Sequence, residues 1–125
     1  MSDRFTGFVY IAASIILTLY GQLVVKWQVN LLGTRPSGLD QNFMFLFRML
    51  TSPWVLSGFV AAFGAAMAWM LAVSRLDLSY AYPFMGLTYP SILLLSVVFF
   101  KEPVSINNVI GVGLIVLGLI IHSRS

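Results

Sequence analysis

Ser14-Ile15-Ile16-Leu17-Thr18-Leu19-Tyr20-Gly21-Gln22-Leu23-Val24-Val25-Lys26 is the stretch whose reading decides the fold. It lies inside a long apolar run, and Ser14, Thr18, Gln22 and Lys26 recur in it at every fourth residue. On a helix that spacing sets the four on one face, and the remainder largely suits hydrocarbon. A polar stripe is unfavourable against lipid, so it is expected to face other helices or a water-filled path. The stripe is read as one wall of a transport pathway. The plainer alternative is that Ser14, Thr18 and Gln22 only hydrogen-bond to neighbouring helices.

Composition places the run in a membrane. Only 9% of the 125 residues are charged and 59% are hydrophobic, with a mean hydropathy of +0.93. A soluble domain carries about 25% charged residues. The net charge of +3 is read as topology and contact with lipid head groups, not as nucleic-acid binding. There are no cysteines, hence no disulfide or thiolate site. One histidine and four acidic residues (Asp3, Asp40, Asp77, Glu102) form no metal-ligand cluster in the sequence. The polar residues assemble no nucleophile–base set, so neither an enzyme nor a cofactor is expected. The first apolar run lacks a small-residue cleavage site and is read as a retained helix.

Taken outward from the opening stretch, the chain divides into four spans, expected at about 8–29, 54–73, 80–100 and 104–121. The predicted fold class is an all-α, up-down membrane protein, a single four-span domain over 1–125. The polar loop Gly33–Asn42 follows the first span, and Phe43–Leu50 is too short to cross. That segment is expected to lie along the interface or to extend the next helix. Ser52 and Pro53 suit the start of the second span. Gly58, Ala61, Ala62, Ala65, Ala66 and Ala68 within it let another helix approach closely. Pro83, Gly86 and Pro90 are expected to bend the third span beside a cavity. Glu102 and Pro103 suit the start of helix four, and Glu102 can alternatively pair with Lys101 or Lys26.

Both termini fall on one side of such a bundle, with Arg4, Arg75 and Arg124. Lys26, Arg35, Arg48 and Lys101 fall on the other. The division is too even for the positive-inside rule to set orientation. Lys26 is the only charge inside an apolar run, and no carboxylate lies within one. An anionic substrate fits this pattern. Lys26, Arg48 and Lys101 are the candidate phosphate or head-group contacts, unless they are interfacial cations binding bulk phospholipid. Trp69, Tyr82 and Tyr89 are candidate pathway aromatics. Tyr82 and Tyr89 are expected on one side of helix three. Gly111, Ile115 and Gly118 share a face of helix four suited to close packing, either within the chain or against another subunit. Four helices barely enclose a cavity with two gates, so a dimer is expected.

Gly21-Gln22-Leu23-Val24-Val25-Lys26, Ala81-Tyr82-Pro83, Lys101-Glu102-Pro103-Val104-Ser105 and Gly111-Val112-Gly113-Leu114-Ile115-Val116-Leu117-Gly118 carry a resemblance that covers nearly the whole chain. The chain resembles the drug/metabolite transporter superfamily in its four-helix form. Within it, the likeness is to the paired small subunits proposed to flip aminoarabinose-linked undecaprenyl phosphate across the bacterial inner membrane. The resemblance implies a polyprenyl-phosphate lipid as substrate, contact with membrane lipids, and a homodimer or a heterodimer with a related subunit. The candidate substrate contacts read from the stripe, the aromatics and the charges are Ser14, Thr18, Gln22, Lys26, Trp69, Tyr82, Tyr89 and Lys101. The small multidrug resistance family is a more distant likeness. Its cation export uses a carboxylate in helix one, where this chain has Thr18. Two alternative functions stay open: a small multidrug or metabolite exporter, and a non-transporting scaffold subunit.

Overall fold

The computed structural model describes residues 2–33 and 36–125. Its helices are α1 (Ser2–Leu32), α2 (Leu39–Thr51), α3 (Pro53–Val73), α4 (Leu78–Ala81), a 3-10 segment (Tyr82–Leu87), α5 (Thr88–Phe100) and α6 (Ile106–Ser123). Four stretches are long and apolar enough to cross a membrane: α1, α3, the continuous run Leu78–Phe100, and α6. The run Leu78–Phe100 is called the third span below. No strand occurs among the described residues. The all-α, four-span reading therefore holds, and the chain is a multi-pass membrane protein.

Helix α1 is 31 residues long, longer than the predicted span at both ends. Asp3 in its first turn complements the positive end of the helix dipole. No breaker intervenes before Gly33, whose φ of 69° and N–H to the Val29 carbonyl (3.4 Å) close the helix. Lys26 thus sits deeper in α1 than one turn from its end. It remains level with the start of α3, because Trp27 packs edge-on against Trp54 (5.4 Å between centroids).

Small residues explain why α1 and α3 form the tightest pair. Gly58, Ala61, Ala65, Ala68 and Ala72 on α3 are buried at alternating spacings of three and four. Ile11, Ser14, Ile15, Gly21 and Val24 are buried on α1. At the closest approach a methyl group on Gly21 would lie 3.2 Å from the Gly58 carbonyl oxygen. That is backbone against backbone, the contact that drives helix association in lipid. Ser52 takes the N-cap position of α3, and Pro53 the first turn. The Ser52 hydroxyl donates instead to Gln28 Oε1 (3.2 Å), which ties α3 to α1.

The third span is broken as its prolines predict. Residues 82–87 tighten into a 3-10 turn around Pro83. The hydroxyls of Thr88 and Ser91 donate to the carbonyls of Met85 (2.7 Å) and Leu87 (2.8 Å) beside the break. Pro90 falls in the first turn of α5, where its missing N–H removes no bond internal to that helix. Helix α6 starts at Ile106, two residues later than predicted, because Ser105 caps it by accepting from the Asn108 N–H (3.1 Å). Glu102 and Pro103 therefore lie in the connection and do not start the helix. Helix α6 leans on the 3-10 segment, and a methyl on Gly86 would lie 3.4 Å from Ile115 Cγ2.

The two ends of the bundle differ. At the end that holds both termini, Phe8, Tyr80, Phe84 and His122 form an aromatic cluster with centroids 5.2–6.1 Å apart. Arg4 stacks on Tyr80 at 4.8 Å, and His122 Nε2–H donates to the Tyr80 carbonyl (2.9 Å). At the other end α2 forms an independent helix, joined to α3 by Ser52 alone. Its Leu39, Phe43, Leu46, Phe47 and Leu50 share an exposed apolar face. That arrangement suits an interfacial helix.

Candidate substrate recess

The polar stripe of α1 does not stay together. Ser14 is 2% exposed, and its hydroxyl donates to the Ala65 carbonyl of α3 (3.0 Å). It occupies the α1–α3 interface. Thr18, one turn on, is half-buried. Gln22 and Lys26 instead line a recess of about 260 Å³ with Leu23, Ile92, Ser96, Phe100 and Glu102. The split follows from geometry. Each four-residue step turns an α-helix about 40° past a full circle, so a stripe drifts from one neighbour to the next.

Lys26 and Glu102 form a salt bridge in this recess, Nζ to Oε2 3.6 Å, with side chains 49% and 40% exposed. An ion pair this open is worth about 0–1 kcal/mol. It sets the two charges side by side at little cost to opening. The pair exists because of the turn before it. Lys101 adopts a left-handed conformation (φ 53°) at the end of α5, which costs about 1–2 kcal/mol for a residue with a side chain. That turn directs the Glu102 N–H back to the Ser96 carbonyl (3.3 Å) and brings Glu102 over the recess.

Two larger grooves adjoin the recess. An apolar groove of about 430 Å³, lined by Tyr20, Leu23, Val24, Trp27, Phe99 and Phe100, shares Leu23 and Phe100 with it. A groove of about 480 Å³ between the third span and α6 shares Ile92, Ser96 and Glu102 with it. A recess with Gln22, Lys26, Ser96 and Glu102 in its lining thus borders an apolar trough, the two sharing Leu23 and Phe100 as walls.

The other predicted residues are distributed more widely. Tyr89, Gly111 and Ile115 line the groove between the third span and α6. Tyr82 lies elsewhere, edge-on to half-buried Trp69 (5.7 Å between centroids). The two tyrosines do not share a side as expected. The 3-10 turn adds about 20° per residue relative to an α-helix, roughly 120° over its length. Lys101 is exposed beside the recess without lining it. Arg48 lies on α2, in a separate groove of about 500 Å³ with Leu32, Pro36 and Asp40. It is not brought to Lys26, and Arg35 lies outside the described residues. A methyl added at Gly111 or Gly118 meets nothing within 4 Å, so both face open space. Ile115 is the member of that trio set against Gly86. Spacing gives no reason to select Ser96 or Ile92, which are single positions in a continuous apolar run.

Comparison with known proteins adds a consistent set of relatives. The chain is 36% identical over 107 residues, 85% of this chain and 87% of the relative, to a protein of Aeromonas hydrophila named "Probable 4-amino-4-deoxy-L-arabinose-phosphoundecaprenol flippase subunit ArnE". It is 31% identical over 110 residues (87% and 93%) to the ArnE subunit of Pseudomonas syringae. It is 33% identical over 130 aligned residues (98% and 92%) to the flippase subunit ArnF of Pseudomonas fluorescens. No family model and no solved structure matches.

Proposed function

The chain belongs to the family of small flippase subunits that includes ArnE and ArnF, and on that premise we propose that it moves a polyprenyl-phosphate-linked sugar across the bacterial inner membrane. The relatives are transporters by name, and the work assigned to this chain is non-enzymatic. The observation that carries the reading is a recess holding Lys26, Gln22 and Ser96 that shares Leu23 and Phe100 as walls with an apolar trough. A lipid with a charged head and a long tail needs that combination. In this reading Lys26 anchors the phosphate, and Gln22 and Ser96 offer hydrogen bonds to sugar hydroxyls. Tyr20, Val24, Trp27 and Phe99 hold the first isoprene units. The rest of the tail stays in lipid, so only the head group has to leave water.

Flipping requires the recess to communicate with both faces in turn. The recess lies at one end of the bundle, and the aromatic cluster of Phe8, Tyr80, Phe84 and His122 packs at the other, where this reading sets the second mouth. A second subunit, identical or related, is proposed to pack on the open Gly111–Gly118 face and complete the path. The broken third span between the rigid α1–α3 pair and α6 is the natural hinge.

Native mass spectrometry of the gently solubilised protein tests the reading. Undecaprenyl phosphate, its aminoarabinose-linked form and a cationic dye are offered together. The polyprenyl phosphates are expected to be retained and to be lost in Lys26→Ala. Retention of the dye alone would favour a multidrug exporter, and retention of none would favour a scaffold subunit.

A further inference from the structure

The recess contains a carboxylate as well as a cation, and an anion-binding role leaves that carboxylate unexplained. Of the four acidic residues, Glu102 alone lines the recess. It does not serve the dipole of α6, which begins four residues later and is capped by Ser105. It also does not rest on Lys101, since its salt bridge is to Lys26. If a phosphate took Lys26 for itself, Glu102 would be left as a negative charge within a few ångströms of a second negative charge. That arrangement opposes binding of a simple phospholipid. It favours a head group that carries its own positive charge.

We propose that Glu102 is the selectivity residue of the recess: it binds a protonated amine on the substrate's sugar while Lys26 binds the phosphate. The inference rests on the lipid-sugar reading above and gives the amine in the relatives' named substrate a binding partner in this chain. The geometry is that of an exchange. The resting Lys26–Glu102 pair, 3.6 Å apart and about half-exposed, opens, and each charge finds its opposite on the ligand. The number of ion pairs rises from one to two, so neither protein charge is left unmatched. A primary amine is protonated at neutral pH and supplies the required cation. Glu102 also borders the groove between the third span and α6. The far side of a sugar ring, away from its phosphate, can therefore reach the carboxylate without burying the ring.

The test compares two lipids of nearly equal size on the intact protein. One is 4-amino-4-deoxy-arabinose-phosphoundecaprenol, and the other is its arabinose counterpart, with a hydroxyl in place of the amine. The wild type is expected to prefer the amine by about tenfold, as befits one charge-assisted contact. Glu102→Gln is expected to erase that preference, the ratio of amine to hydroxyl lipid bound falling to about one, and Glu102→Asp to keep part of it. Equal binding of the two lipids by the wild type would overturn the role of Glu102 and leave the flippase reading standing. So would a preference that survives Glu102→Gln in a variant that still elutes as folded protein. Binding of neither lipid by the wild type would overturn both.

Discussion

The two helix pairs of this bundle are built from similarly apolar sequence and behave as opposites. In α1 and α3, 28% and 33% of the most apolar eighteen residues are buried; in the third span and α6 the shares are 0% and 6%. Glycine makes the contrast concrete. Gly21 and Gly58 sit backbone to backbone, whereas Gly111, Gly113 and Gly118 have nothing within reach of an added methyl. Small residues in a membrane helix mark a place where another backbone can approach, and they do not say whose. In the first pair the approach is made within the chain. In the second it is left open, and a groove, a broken helix and a half-exposed ion pair lie beside it. One pair is packed within the chain, and the other leaves open the face that the proposal gives to a second subunit.

The largest expected effect lies in the packed pair. Gly21→Leu forces a side chain into the Gly58 backbone and is expected to cost more than about 3 kcal/mol, seen as loss of a monodisperse detergent-solubilised species. Gly118→Leu is expected to leave the fold intact and to shift cross-linked dimers to monomer. An unaltered dimer would mean that the open face meets only lipid. A smaller contrast separates two glycines of the same contact. Gly21→Ala places its methyl 3.2 Å from a carbonyl oxygen that cannot rotate away, while Gly58→Ala has 3.5 Å. Thermal unfolding is expected to show a loss of about 1 kcal/mol for the first and little change for the second. Equal effects would show that the two helices approach differently.

Two substitutions then distinguish structural from recess residues. Lys101→Gly relieves a left-handed residue and is expected to stabilise the protein by about 1 kcal/mol while lipid retention persists. A loss of retention would make the Lys101 ammonium itself part of the site. The smallest effect is expected for Ser14→Ala. Removing its bond to Ala65 costs about 0.6 kcal/mol, a typical interhelical value in membranes, and lipid retention stays unchanged.

Much of this was legible in the sequence. Four spans, the break at Pro83 and the small-residue face of α3 follow from hydropathy, proline chemistry and glycine/alanine spacing. The stripe on α1 was legible as a stripe, but its fate was not. Whether Ser14 meets a carbonyl or a cavity depends on which neighbour covers that arc of the helix, and spacing within one helix carries no such information. Tyr82 and Tyr89 show the same limit, since a 3-10 turn between them changes the register on which periodicity relies. Glu102 was legible as a possible partner of Lys26. Choosing that role over a helix start required the left-handed turn at Lys101 and the cap at Ser105.

Site-directed photo-cross-linking tests the central claim, that head group and tail bind where the recess meets the trough. Phe100 lines both, and p-benzoylphenylalanine replaces a phenylalanine with little change of shape; Phe63, 69% exposed on α3, is the control position. With undecaprenyl phosphate in native-like membranes, cross-linking from position 100 should be strong and should vanish in the Lys26→Ala background, while position 63 captures only bulk phospholipid. Equal labelling from the two positions, or labelling at 100 indifferent to Lys26, would contradict the account.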